Sequence, residues 1–197
     1  MPRRVTVWLL LGAFCALVSS AVFAGTFDRA SVYALGGKSE TDWHGQIDLQ
    51  ALGVELTHTL SPRFEAGVVV APMSVWQPRS WFGNQYGDGN ARVLAISGLA
   101  VGRMHFLADS PRISAYAEVA GGPMWAEEQV PAATSRFNFT TQLGAGLILL
   151  PQSRYPVMLG WRYLHISNGG YSPRNPGLNV QSIVIGTRIR IATPPRR

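Results

Sequence analysis

The side chains with the clearest potential for chemistry lie close together near the end of the chain, in His165-Ile166-Ser167-Asn168. Residues two apart in a β-strand share a face and lie about 6.6 Å apart along it. A strand here lets the His165 imidazole lean toward the Ser167 hydroxyl, which is the pairing of base and nucleophile that covalent catalysis requires. Two polar side chains at a membrane interface would give the same pattern, and that alternative stays open.

The other titratable residues suggest no second reaction centre. His44, His58 and His105 each stand apart from any nucleophile in the sequence, so we assign them to hydrogen bonding at an interface or inside the fold. No group of His, Asp and Glu has the spacing of metal ligands, and there is no G-x-S-x-G elbow or phosphate-binding glycine loop. We therefore expect neither a metal nor a cofactor.

The composition argues against a helical bundle and against nucleic acid as a partner. Charged residues make up 14% of the 197 residues, whereas about 25% is usual in a soluble domain. The 21 glycines and six tryptophans are atypical of a helical bundle. The formal net charge of +6 comes from scattered basic residues rather than from a basic block, so we expect no nucleic acid partner.

The first residues have the pattern of an export signal. Two arginines precede an apolar run over residues 5–18, and Val22-Phe23-Ala24 satisfies the small-residue rule of a signal peptidase. We expect cleavage after Ala24, so that residues 1–24 are a signal peptide and residues 25–197 form one domain. An uncleaved membrane anchor is the alternative. The single cysteine, Cys15, lies in this leader, so we expect no disulfide in the mature protein.

The rest of the chain consists of strand-like segments separated by turn residues. Each has roughly the 9–11 residues that a tilted strand needs to cross an outer membrane, or a few more. We predict eight strands, at about 28–36, 45–58, 64–72, 92–106, 113–120, 137–149, 156–167 and 178–191.

Two of these segments alternate with a period of two, as a sheet with unlike faces does. In residues 137–149, apolar side chains alternate with polar or small ones. In residues 178–191, four isoleucines lie opposite a face that carries Arg188 and Arg190. Two charges in register on the inward side fit a narrow polar barrel interior better than a dry soluble core.

The connections between the predicted strands alternate strictly between short and long, which is typical of an up-and-down barrel with short periplasmic turns. The short ones lie at 61–63, 109–112 and 151–154, and the long ones cover residues 37–44, 73–91, 121–136 and 168–177. Aromatic residues gather near the strand ends, as an interfacial girdle requires. They are Trp43, Trp76, Trp81, Phe82, Tyr86, Trp125, Trp161 and Tyr163.

These observations predict an all-β fold, an eight-stranded antiparallel up-and-down transmembrane β-barrel of the bacterial outer membrane. A secreted soluble barrel of the lipocalin type is the alternative. In the barrel, strand parity places His165 and Ser167 with Trp161 and Tyr163 on the lipid-facing side, at the outer end of the seventh strand.

The segment from His165 to Asn179, HISNGGYSPRNPGLN, resembles the active-site segment of the PagL-type lipid A 3-O-deacylases, which have the pattern H-x-S-N-x-G. Further similarity lies upstream, in Ala115-Tyr116-Ala117-Glu118 with Gly121-Gly122 and in Asn138-Phe139 with Gly144-Ala145-Gly146. The resemblance covers about residues 114–186. It implies an eight-stranded outer-membrane barrel whose catalytic residues face the lipid.

The resemblance also implies roles for individual residues. Ser167 corresponds to the nucleophile, and His165 corresponds to the base that removes its proton. Asn168, with the nearby backbone N–H groups of Gly169 and Gly170, corresponds to the part of the site that stabilises the oxyanion, and an ordinary Asn-Gly turn is the alternative. Arg174, in the outer loop beside the site, is a candidate contact for an anionic head group, and a solvated loop arginine is the alternative.

One position departs from the family pattern. The family's Glu that orients the catalytic imidazole is replaced here by Asn179, which strand parity places beside His165 across the hairpin. An Asn oxygen can accept a hydrogen bond from the imidazole, but it cannot support the imidazolium with negative charge. If Asn179 does not orient His165, Glu127 or Glu128 in the preceding outer loop is the next candidate.

The resemblance therefore implies an outer-membrane esterase that hydrolyses the 3-O-linked acyl chain of lipid A by a Ser/His mechanism, with water as the second substrate. The expected partner is lipid A or whole lipopolysaccharide in the outer leaflet, and a homodimer is left open. The alternative function is a non-catalytic small outer-membrane barrel that binds lipid or supports adhesion, with the family's Glu replaced by Asn179.

Overall fold

Eight antiparallel strands account for most of the described chain. The computed structural model describes residues 27–39, 47–78, 89–107 and 109–191. The strands are β1 (Arg29–Ser39), β2 (Asp48–Ser61), β3 (Phe64–Pro78), β4 (Asn90–Phe106), β5 (Ile113–Ala126), β6 (Phe137–Leu149), β7 (Val157–Ser167) and β8 (Leu178–Arg190). Each strand pairs with the next, and β8 pairs with β1, so the sheet closes. The predicted eight-stranded barrel is confirmed, whereas the predicted leader lies outside the described residues.

The two ends of the barrel differ in their connections. The connections after β2, β4 and β6 are short turns, and both ends of the described chain lie at that same end. In outer-membrane barrels the short turns face the periplasm and the longer loops face outward. We call these the turn end and the loop end. The last residues of β7 lie at the loop end.

β3 and β5 extend farther toward the loop end than the sequence predicts, and each contains a proline. β3 continues through Pro72 to Pro78, and β5 continues through Pro123 to Ala126. Pro72 and Pro123 each lack a partner on the preceding strand, since proline has no N–H to donate, but pairing resumes on both sides of them. Proline therefore interrupts the ladder locally without ending the strand, and the outer loops are shorter than the sequence predicts.

Exposure alternates along the strands with the predicted period of two. Leu143 and Ile183 are 58% and 66% exposed, whereas their chain neighbours Gln142 and Ser182 are buried in the interior. Arg188 is buried as predicted. Arg190 also lies on the inward side, as predicted, because it lines a turn-end cavity with Arg188 and Glu65, although its side chain is exposed at the rim.

A network of ion pairs crosses the barrel interior toward the turn end. The Arg103 guanidinium donates to both carboxylate oxygens of Glu55, at 2.8 and 2.9 Å, and to Glu118 at 2.7 Å. Arg162 donates to the other oxygen of Glu118, and Arg188 donates to Glu65. Because every carboxylate in this network has at least one arginine, the buried charges are compensated.

Tyr33 completes the interior packing, and a glycine makes room for its ring. The Arg162 guanidinium lies 4.1 Å from the ring centre of Tyr33. A Cβ at Gly53 would lie 2.0 Å from the Tyr33 ring, so only glycine fits opposite it. Toward the loop end the interior is apolar, with buried side chains that include Leu49, Val75, Val93, Met124, Ile166 and Leu178.

The ion-pair network makes Arg103 the most costly interior side chain to remove. Arg103→Met leaves the Glu55 carboxylate buried without its arginine, and breaking a buried pair in this way costs about 3–5 kcal/mol of stability. Unfolding in urea, followed by heat-modifiable gel migration, should show this loss. Arg63→Met, at an exposed turn residue, is the control and should leave stability unchanged. Equal stability of the two variants would contradict the role of the network.

Candidate active site

His165 and Ser167 lie on the lipid-facing side of β7, at its loop end. Alternation along the strand puts Leu164 and Ile166 in the barrel interior, where both are buried, and turns His165 and Ser167 outward. Ser167 is the last residue of β7 and pairs with Phe139 of β6. The predicted outward placement of both residues is therefore confirmed.

Asn179 lies directly across the β7–β8 hairpin from His165. The two residues are paired in the ladder, and Nδ1 of His165 is 2.7 Å from Oδ1 of Asn179. Because an amide oxygen can only accept, the imidazole donates here and carries its proton on Nδ1. The placement predicted from strand parity is confirmed, and the Asn179 oxygen lies within hydrogen-bond distance of the ring.

The second imidazole nitrogen remains available for proton transfer. With the proton on Nδ1, Nε2 of the neutral ring carries a lone pair, and it has no partner in the described part of the chain. Ser167 lies two residues along the same face, and its hydroxyl makes no hydrogen bond with a described residue. The two side chains share the outward face of β7, but no hydrogen bond joins the Ser167 hydroxyl to His165 in the described residues.

Gly177 lies against the imidazole from the side of the β7–β8 loop. Its φ is +72°, a conformation that glycine adopts most easily. A Cβ at this position would lie 2.8 Å from Cε1 of His165 and 3.6 Å from its Nε2. The ring therefore has Asn179 on one nitrogen and the Gly177 backbone close to its carbon edge, so its position is fixed from two directions.

Asn168 holds the loop together from inside the barrel. Its side chain is buried, accepts a hydrogen bond from the Gly170 N–H at 2.9 Å and donates to the Arg174 carbonyl at 2.8 Å. Its own N–H donates to Oδ1 of Asn175 at 2.9 Å. Asn175 is not among the residues that the sequence predicts for the site. The Asn168 side chain thus stabilises the β7–β8 loop, and it lies on the side of the barrel wall opposite to Ser167.

The predicted oxyanion donors are therefore reduced to one free group. The N–H groups of Asn168 and Gly170 already have acceptors, whereas that of Gly169 has none among the described residues. Gly169 has a φ of +63° and follows Asn168 directly. Its backbone donor is two residues from Ser167, and its role toward an oxyanion stays a prediction.

The remaining loop residues tie the site to its neighbours. The Ser172 hydroxyl donates to the Thr134 carbonyl at 3.2 Å, which links the β7–β8 loop to the β5–β6 loop. Arg174 is exposed in the same loop, as the sequence predicts, and its carbonyl accepts the hydrogen bond that the Asn168 side chain donates. Its contact with an anionic head group remains a prediction.

The two alternative orienting carboxylates are engaged elsewhere. Oε1 of Glu127 accepts a hydrogen bond from the Leu94 N–H on β4 at 3.1 Å. Glu128 lines a polar cavity of about 360 Å³ at the loop end with Gln77 and Arg136. Neither carboxylate forms a hydrogen bond or ion pair with His165 in the described residues, whereas Asn179 lies within hydrogen-bond distance of it.

A serine–histidine contact lies inside the barrel, where the sequence predicts only hydrogen bonding for His105. Nδ1 of His105 is 3.3 Å from the Ser114 hydroxyl, and its Nε2 is 3.2 Å from Glu65. The Ser114 hydroxyl is also 3.3 Å from the Phe106 carbonyl, to which it donates. Both members of the pair are buried, and Glu65 is shared with arginines, so this contact belongs to the interior network.

Neither a candidate metal site nor a membrane-spanning helix is present in residues 27–39, 47–78, 89–107 and 109–191. No group of three His, Cys, Asp or Glu side chains in these ranges is arranged to hold a metal ion. No helix in them has the length and hydropathy to cross a membrane. His44, Trp43, Trp81, Phe82 and Tyr86, for which the sequence made predictions, lie outside these ranges.

The fold and this site define an outer-membrane barrel that carries polar, hydrolase-like side chains on its lipid-facing surface. The family model described as lipid A 3-O-deacylase (PagL) matches residues 36–188. The chain therefore belongs to the PagL family of lipid A 3-O-deacylases, as the motif from His165 to Asn179 predicts, and it is a protein of the bacterial outer membrane.

Comparison with solved structures gives the same fold. The crystal structure of the outer membrane enzyme PagL has a TM-score of 0.57 and 19% identity, with 81% of this chain and 98% of that chain covered. Neisserial surface protein A has a TM-score of 0.50 and 14% identity, with 83% and 95% covered. A search of curated proteins found no match.

The close approach of Gly177 to His165 predicts a specific effect of a methyl group. Gly177→Ala should displace the imidazole and lengthen its bond to Asn179. The nitrogen NMR signals of the His165 ring, compared in detergent micelles, should report this change. Gly89→Ala is a matched control, because Gly89 has a φ of +92° but open space where a Cβ would lie. An unchanged His165 spectrum in Gly177→Ala would contradict the positioning role.

Proposed function

We propose that this protein hydrolyses the ester at position 3 of lipid A, with Ser167 as nucleophile and His165 as general base. The observation that carries the proposal is the 2.7 Å contact between Nδ1 of His165 and Oδ1 of Asn179. It fixes the tautomer in which Nε2 can accept a proton from the neighbouring hydroxyl. Family membership supports the reaction at the level of the class.

The first half of the reaction transfers the acyl chain to the protein. Nε2 of His165 takes the proton of Ser167, and the serine oxygen attacks the ester carbonyl. The resulting oxyanion lies near the turn that follows β7, where the Gly169 N–H is the available donor. When the intermediate collapses, the imidazolium returns its proton to the departing 3-hydroxyl oxygen of the sugar, and an acyl-serine remains.

The second half releases the fatty acid. A water molecule from the aqueous side attacks the acyl-serine carbonyl while Nε2 of His165 removes one of its protons. Collapse of this intermediate breaks the bond to the Ser167 oxygen, which takes the proton back from the imidazolium. The products are a free fatty acid and a lipid A molecule with a hydroxyl at position 3. No metal or redox step is needed to balance the reaction.

Asn179 is a positioning residue in this mechanism. In a serine triad, the change of Asp to Asn lowers kcat about ten-thousandfold, largely because the imidazole takes the wrong tautomer. Here Asn179 presents its oxygen to Nδ1, so the tautomer is the productive one. The charge that would stabilise the imidazolium is absent, and we therefore expect a slower enzyme than one with Glu at this position.

The location of the site suits a substrate that stays in the membrane. Ser167 lies at the loop end, where an outer leaflet meets the headgroup region, and the outward side chains below it on β7 are Tyr163 and Trp161. The ester of a glycolipid lies at this same boundary between acyl chains and sugar. A lipid A molecule can therefore reach the hydroxyl by lateral diffusion without leaving the bilayer.

The nucleophile is tested by substitution. Ser167→Ala and His165→Ala should each abolish release of the 3-linked acyl chain. Because the two side chains act as one catalytic unit, loss of either should lower the rate about as much as loss of both. Mass spectrometry of lipid A incubated with the purified barrel measures the reaction. Ser114→Ala, at the buried serine beside His105, is the matched control and should keep its activity. Full activity of Ser167→Ala would eliminate the mechanism.

The alternative is a barrel that binds lipid without reacting, which the Asn at position 179 favours. In that case the parent protein would leave lipid A unchanged in the same assay. The parent's activity therefore separates the two functions, and the variants then assign the residues.

The role of Asn179 is tested by changing its charge and by removing it. Asn179→Glu should raise the deacylation rate, because a carboxylate supports the imidazolium. Asn179→Ala should lower it about two- to tenfold, which corresponds to one lost hydrogen bond of about 0.5–1.5 kcal/mol. Heat-modifiable gel migration checks that each variant is folded. If Asn179→Ala matches the parent and Asn179→Glu gains nothing, Asn179 does not orient His165.

A further inference from the structure

Three aromatic rings lie beside Ser167, on the side away from Asn179. Phe139 of β6 is the cross-strand neighbour of Ser167. The Phe137 ring meets it edge-on, with ring centres 5.3 Å apart, and the Tyr171 ring lies 6.2 Å from it at a tilt of 31°. We call Phe137, Phe139 and Tyr171 the aromatic wall.

The aromatic wall extends from the level of Ser167 toward the loop end of the barrel. β7 ends at Ser167, so Tyr171 lies in the loop beyond the strand, and β6 begins at Phe137, which is therefore nearer the loop end than Phe139. In the opposite direction, toward the membrane, the outward side chains next to the site are Thr141 and Leu143. An ester at Ser167 thus has an apolar strand surface on one side and the aromatic wall on the other.

Tyr171 is the most exposed part of the wall. Its side chain is 79% exposed, although one face of the ring packs near Phe139. Gly169 lies between the two rings, since a Cβ there would be 3.3 Å from Phe139 and 4.0 Å from Tyr171. A side chain at position 169 would crowd Phe139, so glycine keeps the loop close to the wall and leaves the outer face of Tyr171 open.

We propose that the aromatic wall is a subsite for the sugar ring that carries the ester, with Tyr171 packed against the ring's apolar C–H face. The acyl chain extends into the membrane along β6 and β7, so the alcohol part of the ester lies on the headgroup side, where Tyr171 is. An aromatic ring offers a flat apolar face together with a polar tip that stays hydrated. A pyranose fits such a face, whereas the glycerol of a phospholipid has no ring to place there.

This inference rests on the proposed function for the identity of the ester, and it adds how the site chooses its substrate. Contacts to a part of the substrate that does not react strengthen binding in the ground state and the transition state alike. Loss of Tyr171 should therefore raise KM for a glycolipid and leave kcat nearly unchanged. A substrate without a sugar should not respond.

The test compares two substrates with matched tyrosine variants. Tyr171→Ala should raise KM for lipid A in mixed micelles about three- to tenfold, and it should not change hydrolysis of a long-chain methyl ester, whose alcohol part has no ring. Tyr171→Phe keeps the ring and should restore the parent KM. Tyr155→Ala removes an exposed tyrosine at the turn end and should change neither substrate. Equal effects of Tyr171→Ala on both substrates, or no effect on lipid A, would overturn the subsite.

A binding measurement separates this inference from the reaction itself. In the Ser167→Ala background, native mass spectrometry can compare retention of lipid A with retention of phosphatidylethanolamine. Adding Tyr171→Ala should weaken retention of lipid A alone. If the parent shows no deacylation but this difference is seen, the subsite stands and the proposed reaction falls. If Tyr171→Ala weakens both lipids equally or neither of them, the subsite is wrong whether or not the parent is active.

Discussion

The double ion pair of Arg103 with Glu55 and Glu118 is the constraint on which the rest of the barrel depends. These side chains meet across the interior near the turn end, and Arg162 shares Glu118. A buried charge network of this kind is stable only when every member keeps its partner. The interior is therefore committed to packing, and the lipid-facing surface is the place where a polar site can be reached by a lipid.

On that surface, the hydrogen bond from His165 to Asn179 takes the place of the ion pair that a Glu would form. It keeps the geometry, because an amide oxygen and a carboxylate oxygen can both accept the hydrogen bond that Nδ1–H donates. It gives up the charge, which matters only once the imidazole is protonated. In the proposed mechanism, orientation and charge support are thus separate properties, and Asn179 supplies the first.

Most of the architecture and half of the site follow from the sequence by strand parity. The period of two placed His165 and Asn179 on one outward face, and the closed register makes them partners. The full lengths of β3 and β5 were not predicted, because pairs on both sides of Pro72 and Pro123 keep these segments in the ladder and single-sequence patterns do not contain those pairs. The hydrogen bonds that the Asn168 side chain makes inside the barrel could not be predicted from the alternation of residues either. Which of its groups is free depends on hydrogen bonds within a loop whose path the spacing of residues does not fix.

The proposed mechanism requires Ser167, on the lipid-facing side, to be the reactive hydroxyl of this barrel. A long-chain fluorophosphonate, delivered in detergent micelles, labels such a group, because the phosphorus bonds to an activated serine oxygen as fluoride leaves. Intact mass and peptide mapping then locate the adduct. We expect one adduct, on Ser167, that is lost in His165→Ala. An adduct on Ser114, whose hydroxyl lies 3.3 Å from Nδ1 of His105, or no adduct at all, would rule out Ser167 as the nucleophile.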